Sequence, residues 1–369
     1  MASDPLASRL LGRAAELVAI PSVSHEEGAI ADHVEARLRA VPALTVERLG
    51  HNVVARTGTG ADTRLVVAGH FDTVPPHGND EPRLEGDRLS GLGACDMKGT
   101  LAVMLDLAEG FDPAAEPRVD VTWVFYEAEE VAGEHNGLRR LFAQRPDLVA
   151  GDVAILGEPT AAAVEAGCQG GVRIRATYRG RRAHTARPWM GDNAIHRLTP
   201  VLERLAAYEA RRPVLEGCEY RESLQAVFVD GGVAGNVVPD EASITVHHRF
   251  APDRTPEEAR EFLMGVLGDP GEVELLDLSP AAPPAVTHPL IGRLIADNAL
   301  EVRAKLGWTD VARFAAHGVP AVNFGAGDPA LAHTAEEFVT GAELARVWRA
   351  LAGVIGGRGG PRWSGRTTG

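Results

Sequence analysis

The sequence predicts an α/β protein with a sheet covered by helices on both faces and a smaller α+β two-layer sandwich, of ferredoxin-like order, inserted into it. Three observations carry this. Short aliphatic runs such as Leu65-Val66-Val67-Ala68 alternate with helical periodicities in the first part of the chain, as strands buried on both faces alternate with the helices that cover them. The middle of the chain shows two-residue alternation instead, ordered strand–helix–strand–strand–helix–strand, the split βαβ pattern. The α/β pattern resumes after the Pro-rich break Ser279-Pro280-Ala281-Ala282-Pro283-Pro284. These breaks divide the chain into a first segment of the larger domain (1–169), an inserted domain (170–282) and a second segment of the larger domain (283–369).

Each element has a local reason. Leu6, Leu10, Leu11, Ala14, Leu17 and Val18 recur at helical spacing with charges between them, so Asp4 to Ile20 reads as an amphipathic helix rather than a signal peptide. Asn52 to Ala55, Leu65 to His70, Val119 to Tyr126 and Val153 to Leu156 read as strands, and Lys98 to Glu109 and Asn136 to Ala143 as helices. In the middle, Val172 to Tyr178, Leu224 to Val229, Ala242 to Phe250 and Val273 to Leu278 alternate as half-buried strands. Asp192 is expected to cap a helix running to about Ala210. Thr255 with Glu258, and Thr340 with Glu343, form capping-box patterns at two further helix starts. Pro289 to Ala299 reads as helix and Ala321 to Phe324 as strand. Gly356 to Gly369, rich in Gly and Arg, is expected to fray.

Composition excludes several classes. The chain has 369 residues, 45% hydrophobic and 24% charged, the mixture of a folded rather than a disordered protein. Its formal net charge of −14 disfavours binding to a phosphate backbone. No apolar run approaches membrane-spanning length. Cys95, Cys168 and Cys218 are widely spaced and odd in number, which fits neither a disulfide framework nor a Cys-x-x-Cys site and suits the reducing cytoplasm.

The polar residues that close the large-domain strands are His70, Asp72, Asp96, Glu129, Glu130, Glu158 and His333. A single Asp or Glu of this kind is ordinarily a solvated loop residue. Together they form imidazoles and carboxylates on loops at one sheet edge, which cannot crowd together without a cation between them. A pair of divalent ions about 3.5–4 Å apart would neutralise such a cluster, and mixed nitrogen and oxygen ligation suits zinc.

These residues lie in motifs that resemble the co-catalytic zinc peptidases, the family of carboxypeptidase G, acetylornithine deacetylase, aminoacylase and succinyl-diaminopimelate desuccinylase. Gly69-His70-Phe71-Asp72-Thr73-Val74-Pro75, Gly91-Leu92-Gly93-Ala94-Cys95-Asp96-Met97-Lys98-Gly99, Glu129-Glu130, Gly157-Glu158-Pro159-Thr160 and Ala332-His333-Thr334-Ala335-Glu336-Glu337 match in order and spacing. The actinobacterial desuccinylase branch is the nearest in likeness, through Tyr126 to Glu130, Ala183 to Trp189, Gly235 to Pro239 and Lys305 to Phe314. Many desuccinylases carry Arg-Arg-Gly near the start of the insert, where Cys168-Gln169-Gly170 stands here.

The resemblance implies a zinc-peptidase-like catalytic domain with a mixed central sheet, two zinc ions per subunit with cobalt or manganese as substitutes, and a cis peptide after Asp96. It implies that Asp96 bridges the ions, that His70 and Glu158 complete one, and that Glu130 and His333 complete the other. Asp72 would orient His70, and Glu129 would be the general base. His184, from the inserted domain of a partner subunit, would stabilise the oxyanion, so the inserted domain would serve as lid and dimerisation domain of a homodimer. Asn236, Arg249, Thr309 and Asp310 would meet a small N-acyl amino acid. Two alternatives stay open: another N-acyl-amino-acid deacylase or a glutamate-type carboxypeptidase, and a non-catalytic metal- or peptide-binding relative.

Several residues read as structural. His247 and His248 are adjacent on a strand and face opposite ways, with a surface or interface place expected for both. His196 reads as a helical packing or interface residue. His25, His51, His77 and His135 read as solvated. Trp189, Trp308 and Trp348 read as packing groups, and Cys95 as a small packing residue.

Overall fold

The computed structural model describes residues 4–356. The expected fraying tail lies outside them, apart from Gly356. The chain forms two compact units. One takes the chain up to Ala166, Ala285–Arg303 and the chain from Arg313 onward; the other takes Gly167–Pro284 and Ala304–Ala312.

The first unit is built on an eight-stranded mixed sheet in the order Thr45–Leu49, Asn52–Arg56, Asp120–Tyr126, Arg64–His70, Val153–Leu156, Ala321–Asn323, Val164–Ala166, Val302–Ala304. The four strands from Asp120–Tyr126 to Ala321–Asn323 run parallel, so their C-terminal ends share one edge. Ligands bind at that edge in open α/β sheets. The strand Asp120–Tyr126 is buried along its whole length, as expected for a strand covered on both faces. The helix Pro5–Val18 buries Leu10, Leu11, Ala14, Leu17 and Val18, with each leucine contributing about 1.5–3 kcal/mol. The Asp4 side chain caps its start by accepting the N–H of Leu6 at 3.0 Å, a contribution of about 1 kcal/mol. The helices Gly99–Glu109 and Gly341–Ile355 complete this layer. The capping box of Thr340 and Glu343 is formed.

The second unit carries a four-stranded antiparallel sheet in the order Ser223–Gly231, Glu241–Phe250, Gly170–Arg179, Glu272–Ser279. The strand Gly170–Arg179 buries Val172, Ile174 and Ala176 and exposes Arg173 and Arg175, so one face packs and the other is polar. The helices Thr199–Ala206 and Pro256–Leu267 supply Val201, Ala259, Leu263 and Leu267 to the core of this unit. The capping box of Thr255 and Glu258 is present.

Four expectations are corrected. The helix expected from Asp192 starts instead at Thr199 after a single tight turn at His196–Leu198. Pro200 lacks an N–H and fits only a first turn, while Asp192 exchanges backbone hydrogen bonds with Arg181 and accepts from Arg197. His247 and His248 do face opposite ways, but His248 is fully buried beside Phe262, with ring centroids 5.0 Å apart. Trp189 does not pack, being 75% exposed, whereas the Trp348 indole donates to Asp106 at 2.8 Å in the core. His51 is half-buried and groups with Glu27 and Glu127.

Candidate metal centre

Parallel strands deliver most of the centre. His70 ends the strand Arg64–His70, Glu129 and Glu130 follow Asp120–Tyr126, Glu158 follows Val153–Leu156, and the loop after Ala321–Asn323 leads to His333. Asp96 arrives from the other direction, just before the helix Gly99–Glu109. Its peptide bond to Met97 is cis. Gly69 and Gly157 leave room for the Met97 side chain, which a Cβ at either position would strike.

The His70 Nε2 lies 3.1 Å from Asp96 Oδ1. Across the cluster, His333 Nε2 lies 2.9 Å from Glu130 Oε1 and 3.5 Å from Asp96 Oδ2. Asp96 therefore stands between the two imidazoles. One donor atom each from His70, Asp96 and Glu130 falls within 4.8 Å of the others, close enough to hold one ion. Glu158 is buried beside the end of the His70 strand, where the N–H of Gly157 bonds to the carbonyl of Ala68.

Electrostatics show what the cluster attracts. Burial alone would raise the Asp96 carboxyl, but hydrogen bonds from His333 and His70 hold it well below the usual range. Hydrogen bonds to Asp96 and Glu130 pull the His333 imidazole up to about 10. Burial works against a charged His70, yet Asp72 and Asp96 outweigh it and raise this group well above its ordinary value. Carboxylates that concentrate positive charge on both imidazoles form a field suited to divalent cations. The donor set of two imidazoles and three carboxylates fits such ions.

Asp72 is buried, and its role extends beyond His70. The His70 Nδ1 lies 3.1 Å from the Asp72 backbone carbonyl and 3.4 Å from its Oδ1. The same carboxylate accepts the N–H groups of Glu129 at 3.0 Å and Glu130 at 3.1 Å, and the Ser24 hydroxyl at 2.7 Å. Ala128, just before them, has φ +56° and donates its N–H to Glu27 Oε1 at 3.1 Å. Two buried carboxylates thus hold three successive N–H groups of one turn.

Residues 66–356 match the sequence profile of peptidase family M20/M25/M40. The chain belongs to this family. The M20 chain is 45% identical to the succinyl-diaminopimelate desuccinylase of Corynebacterium glutamicum over 328 residues, 87% of this chain and 89% of that one. It is 49% identical over 345 residues to a Mycobacterium tuberculosis protein provisionally named as the same enzyme, covering 93% of this chain and 97% of that one. Among solved structures, the aminopeptidase PepT of Bacillus cereus shares its fold with a TM-score of 0.77 at 19% identity, over 95% of this chain and 98% of that one. A Staphylococcus aureus tripeptidase shares it at 0.74 and 20%, covering 95% of this chain and 97% of that one.

The second unit of the M20 chain holds the other expected site residues. His184 is exposed in a short strand paired with Val237–Val238, and the carbonyl of its neighbour Asn236 accepts the N–H of Thr185 at 3.0 Å. The His184 Nδ1 accepts the N–H of Ala186 at 3.0 Å, so the neutral ring carries its proton on Nε2. Arg249 lies in the sheet, whereas Thr309 and Asp310 are buried and the Cys168 thiol points at the Thr309 carbonyl.

Sequence patterning alone does not single out Glu27, Ser24 or Glu337. The buried Glu337 Oε1 accepts the N–H groups of Cys95 at 2.8 Å and Asp96 at 2.9 Å, fixing the segment that presents Asp96. Its position two residues past Ala335, beside Glu336, is only a weak signal. Cys95 packs as expected: it is buried, its thiol is raised by burial, and its Sγ donates to the Asp328 carbonyl.

Proposed function

We propose that this M20 chain is a two-metal amide hydrolase that converts N-succinyl-LL-2,6-diaminopimelate and water to succinate and LL-2,6-diaminopimelate, a step of lysine and diaminopimelate biosynthesis. The observation that carries the reading is a His70–Asp96–Glu130–His333 cluster with a second carboxylate, Glu129, on the adjoining residue of the same held turn. The 45% identity to the Corynebacterium glutamicum enzyme supports the choice of substrate.

In this reading His70, Glu158, Asp96, Glu130 and His333 hold two zinc ions, with cobalt or manganese as substitutes. When bound, such ions polarise the amide carbonyl and make water acidic. The Glu129 carboxylate takes a proton from the attacking water and returns it to the departing amine nitrogen. Asp72 keeps Glu129 and Glu130 in fixed register through their backbone N–H groups. His184 offers an Nε2–H to the developing oxyanion, supplied by the partner subunit of a homodimer. Asn236, Arg249, Thr309 and Asp310 serve the substrate. Residues 1–169 and 283–369 act as the catalytic domain and 170–282 as the lid and dimerisation domain. The three unpaired cysteines support a place in the reducing cytoplasm. Among the described residues, no helix is long and apolar enough to cross a membrane.

A turnover panel of N-succinyl and N-acetyl amino acids with added zinc tests the proposal. Succinyl-diaminopimelate is expected to be the best substrate. Faster cleavage of acetylornithine or an N-acyl-glutamate would overturn that choice.

A further inference from the structure

Four successive N–H groups lead through the proposed base, and each is accepted by a side chain from another part of the chain. Asn52 Oδ1 takes the N–H of Glu127 at 3.2 Å and Glu27 Oε1 that of Ala128 at 3.1 Å. The two Asp72 oxygens take those of Glu129 at 3.0 Å and Glu130 at 3.1 Å. Ala128 has φ +56°, a conformation that persists in a residue other than glycine where the surroundings over-determine it. The shape of this segment is therefore imposed from outside it.

Glu27 is the holder that stability explains least. It opens the helix Gly28–Arg39, yet its side chain does not cap that helix. Its Oε1 instead reaches Ala128 and also accepts the N–H of His25 at 2.9 Å. The residue is 1% exposed, and its Oε2 is buried without a hydrogen-bond partner. Glu127 comes within 4.8 Å of it, and the Glu127 Oε1 is already engaged by Arg140 at 2.5 Å and Asn52 at 3.2 Å. Burying a carboxylate with one oxygen unpaired beside another carboxylate costs stability. What the side chain supplies is an acceptor one residue before Glu129. Asp72 also meets His70, so a change there disturbs a proposed ligand, whereas Glu27 hydrogen-bonds to none of the proposed ligands.

We infer that Glu27 is a positioning residue for the hydrolysis: by holding the Ala128 N–H it sets the line of the Glu129 carboxylate to the water it deprotonates. The inference rests on the reading of Glu129 as general base. Glu27 acts through the backbone and touches neither substrate nor metal. The acceptor oxygen matters here and the charge does not.

The test compares three variants of the full-length enzyme loaded with zinc. Glu27→Gln keeps an acceptor oxygen at the same reach, Glu27→Asp keeps the charge but shortens the reach by one methylene, and Glu27→Leu removes both. On N-succinyl-diaminopimelate, Glu27→Asp and Glu27→Leu are expected to lower kcat by about tenfold or more, with KM and bound zinc unchanged. Glu27→Gln is expected to stay within about threefold of the wild type. Amide hydrogen exchange of the metal-free proteins gives a readout apart from activity. The peptide holding residues 127–130 is expected to exchange about tenfold faster in Glu27→Asp than in Glu27→Gln, with the rest of the chain unchanged. An equal loss of kcat in Glu27→Gln and Glu27→Asp would make the charge the contribution and overturn the inference. Wild-type kcat in Glu27→Asp and Glu27→Leu, or a loss of kcat matched by a loss of zinc, would overturn it too. Should Glu27→Leu fail to fold, the other two variants decide. If the wild type hydrolyses no N-acyl amino acid, the hydrolase reading fails, and exchange alone then judges the hold on the turn: faster exchange in Glu27→Asp supports it, and equal exchange overturns it.

Discussion

The two units present their functional groups in opposite ways. In the first, Glu129 and Glu130 follow a buried parallel strand and Asp96 precedes a helix, and the backbone of these proposed site residues is tied down by Asp72, Glu27 and Glu337. In the second, His184 and Asn236 stand exposed on a short ribbon, and the sheet packs on one face only. Rigid placement suits groups that must meet a water and an amide within a fraction of an ångström. Exposed placement suits groups that engage only when something arrives.

Substitutions can break or sharpen that contrast. Glu129→Gln is expected to lower kcat by roughly a thousandfold while metal content, measured by elemental analysis, stays at the wild-type level. Near-normal turnover would remove the base from the first unit. His184→Ala is expected to cost roughly a hundredfold in kcat, again with metal retained. Full activity of this variant in a species shown to be monomeric by light scattering would end the idea of a shared site. Glu337→Leu leaves every proposed metal ligand in place but releases the Cys95 and Asp96 N–H groups. It is expected to weaken metal binding by about tenfold, seen as faster loss to a chelator. Equal retention would mean that Asp96 needs no such support.

The smallest effect lies in the second unit. Burial keeps the His248 ring neutral and lowers its pKa despite a hydrogen bond to the Ser223 carbonyl. The unfolded chain takes up this proton more readily below pH of about 6.5. Stability is therefore complete above that value and declines as pH falls through the native pKa. Unfolding monitored between pH 7 and 5 is expected to show this decline, and His248→Phe is expected to reduce it. An identical slope in the variant would assign the effect elsewhere.

The strands and their terminal residues were legible because buried parallel strands write continuous aliphatic runs, and the polar residues that close such a run sit at the sheet edge. Both capping boxes were legible because their two partners lie three residues apart. Glu27 was not, since its bond to Ala128 spans 101 residues and a carboxylate accepting backbone N–H groups leaves no periodic trace. His248 shows a related limit. Alternation put it opposite His247, but only the packing of Phe250 and Phe262 around it decided which of the pair went inside. Asp192 resembled a helix cap because the residue type fits, while the backbone pairing with Arg181 that claims it is tertiary.

The loop carrying Ser24 and Glu27 holds the Ala128–Glu130 turn from a point near the beginning of the chain, Glu27 directly and Ser24 through Asp72. A shortened version that starts after this loop would keep every proposed ligand and the proposed base. It would nonetheless lose, along with the core helix Pro5–Val18, the outside brace on the turn that carries the proposed base and the proposed ligand beside it. Trimming the amino-terminal region through this loop therefore reaches the turn that carries the proposed base, although no proposed ligand is removed.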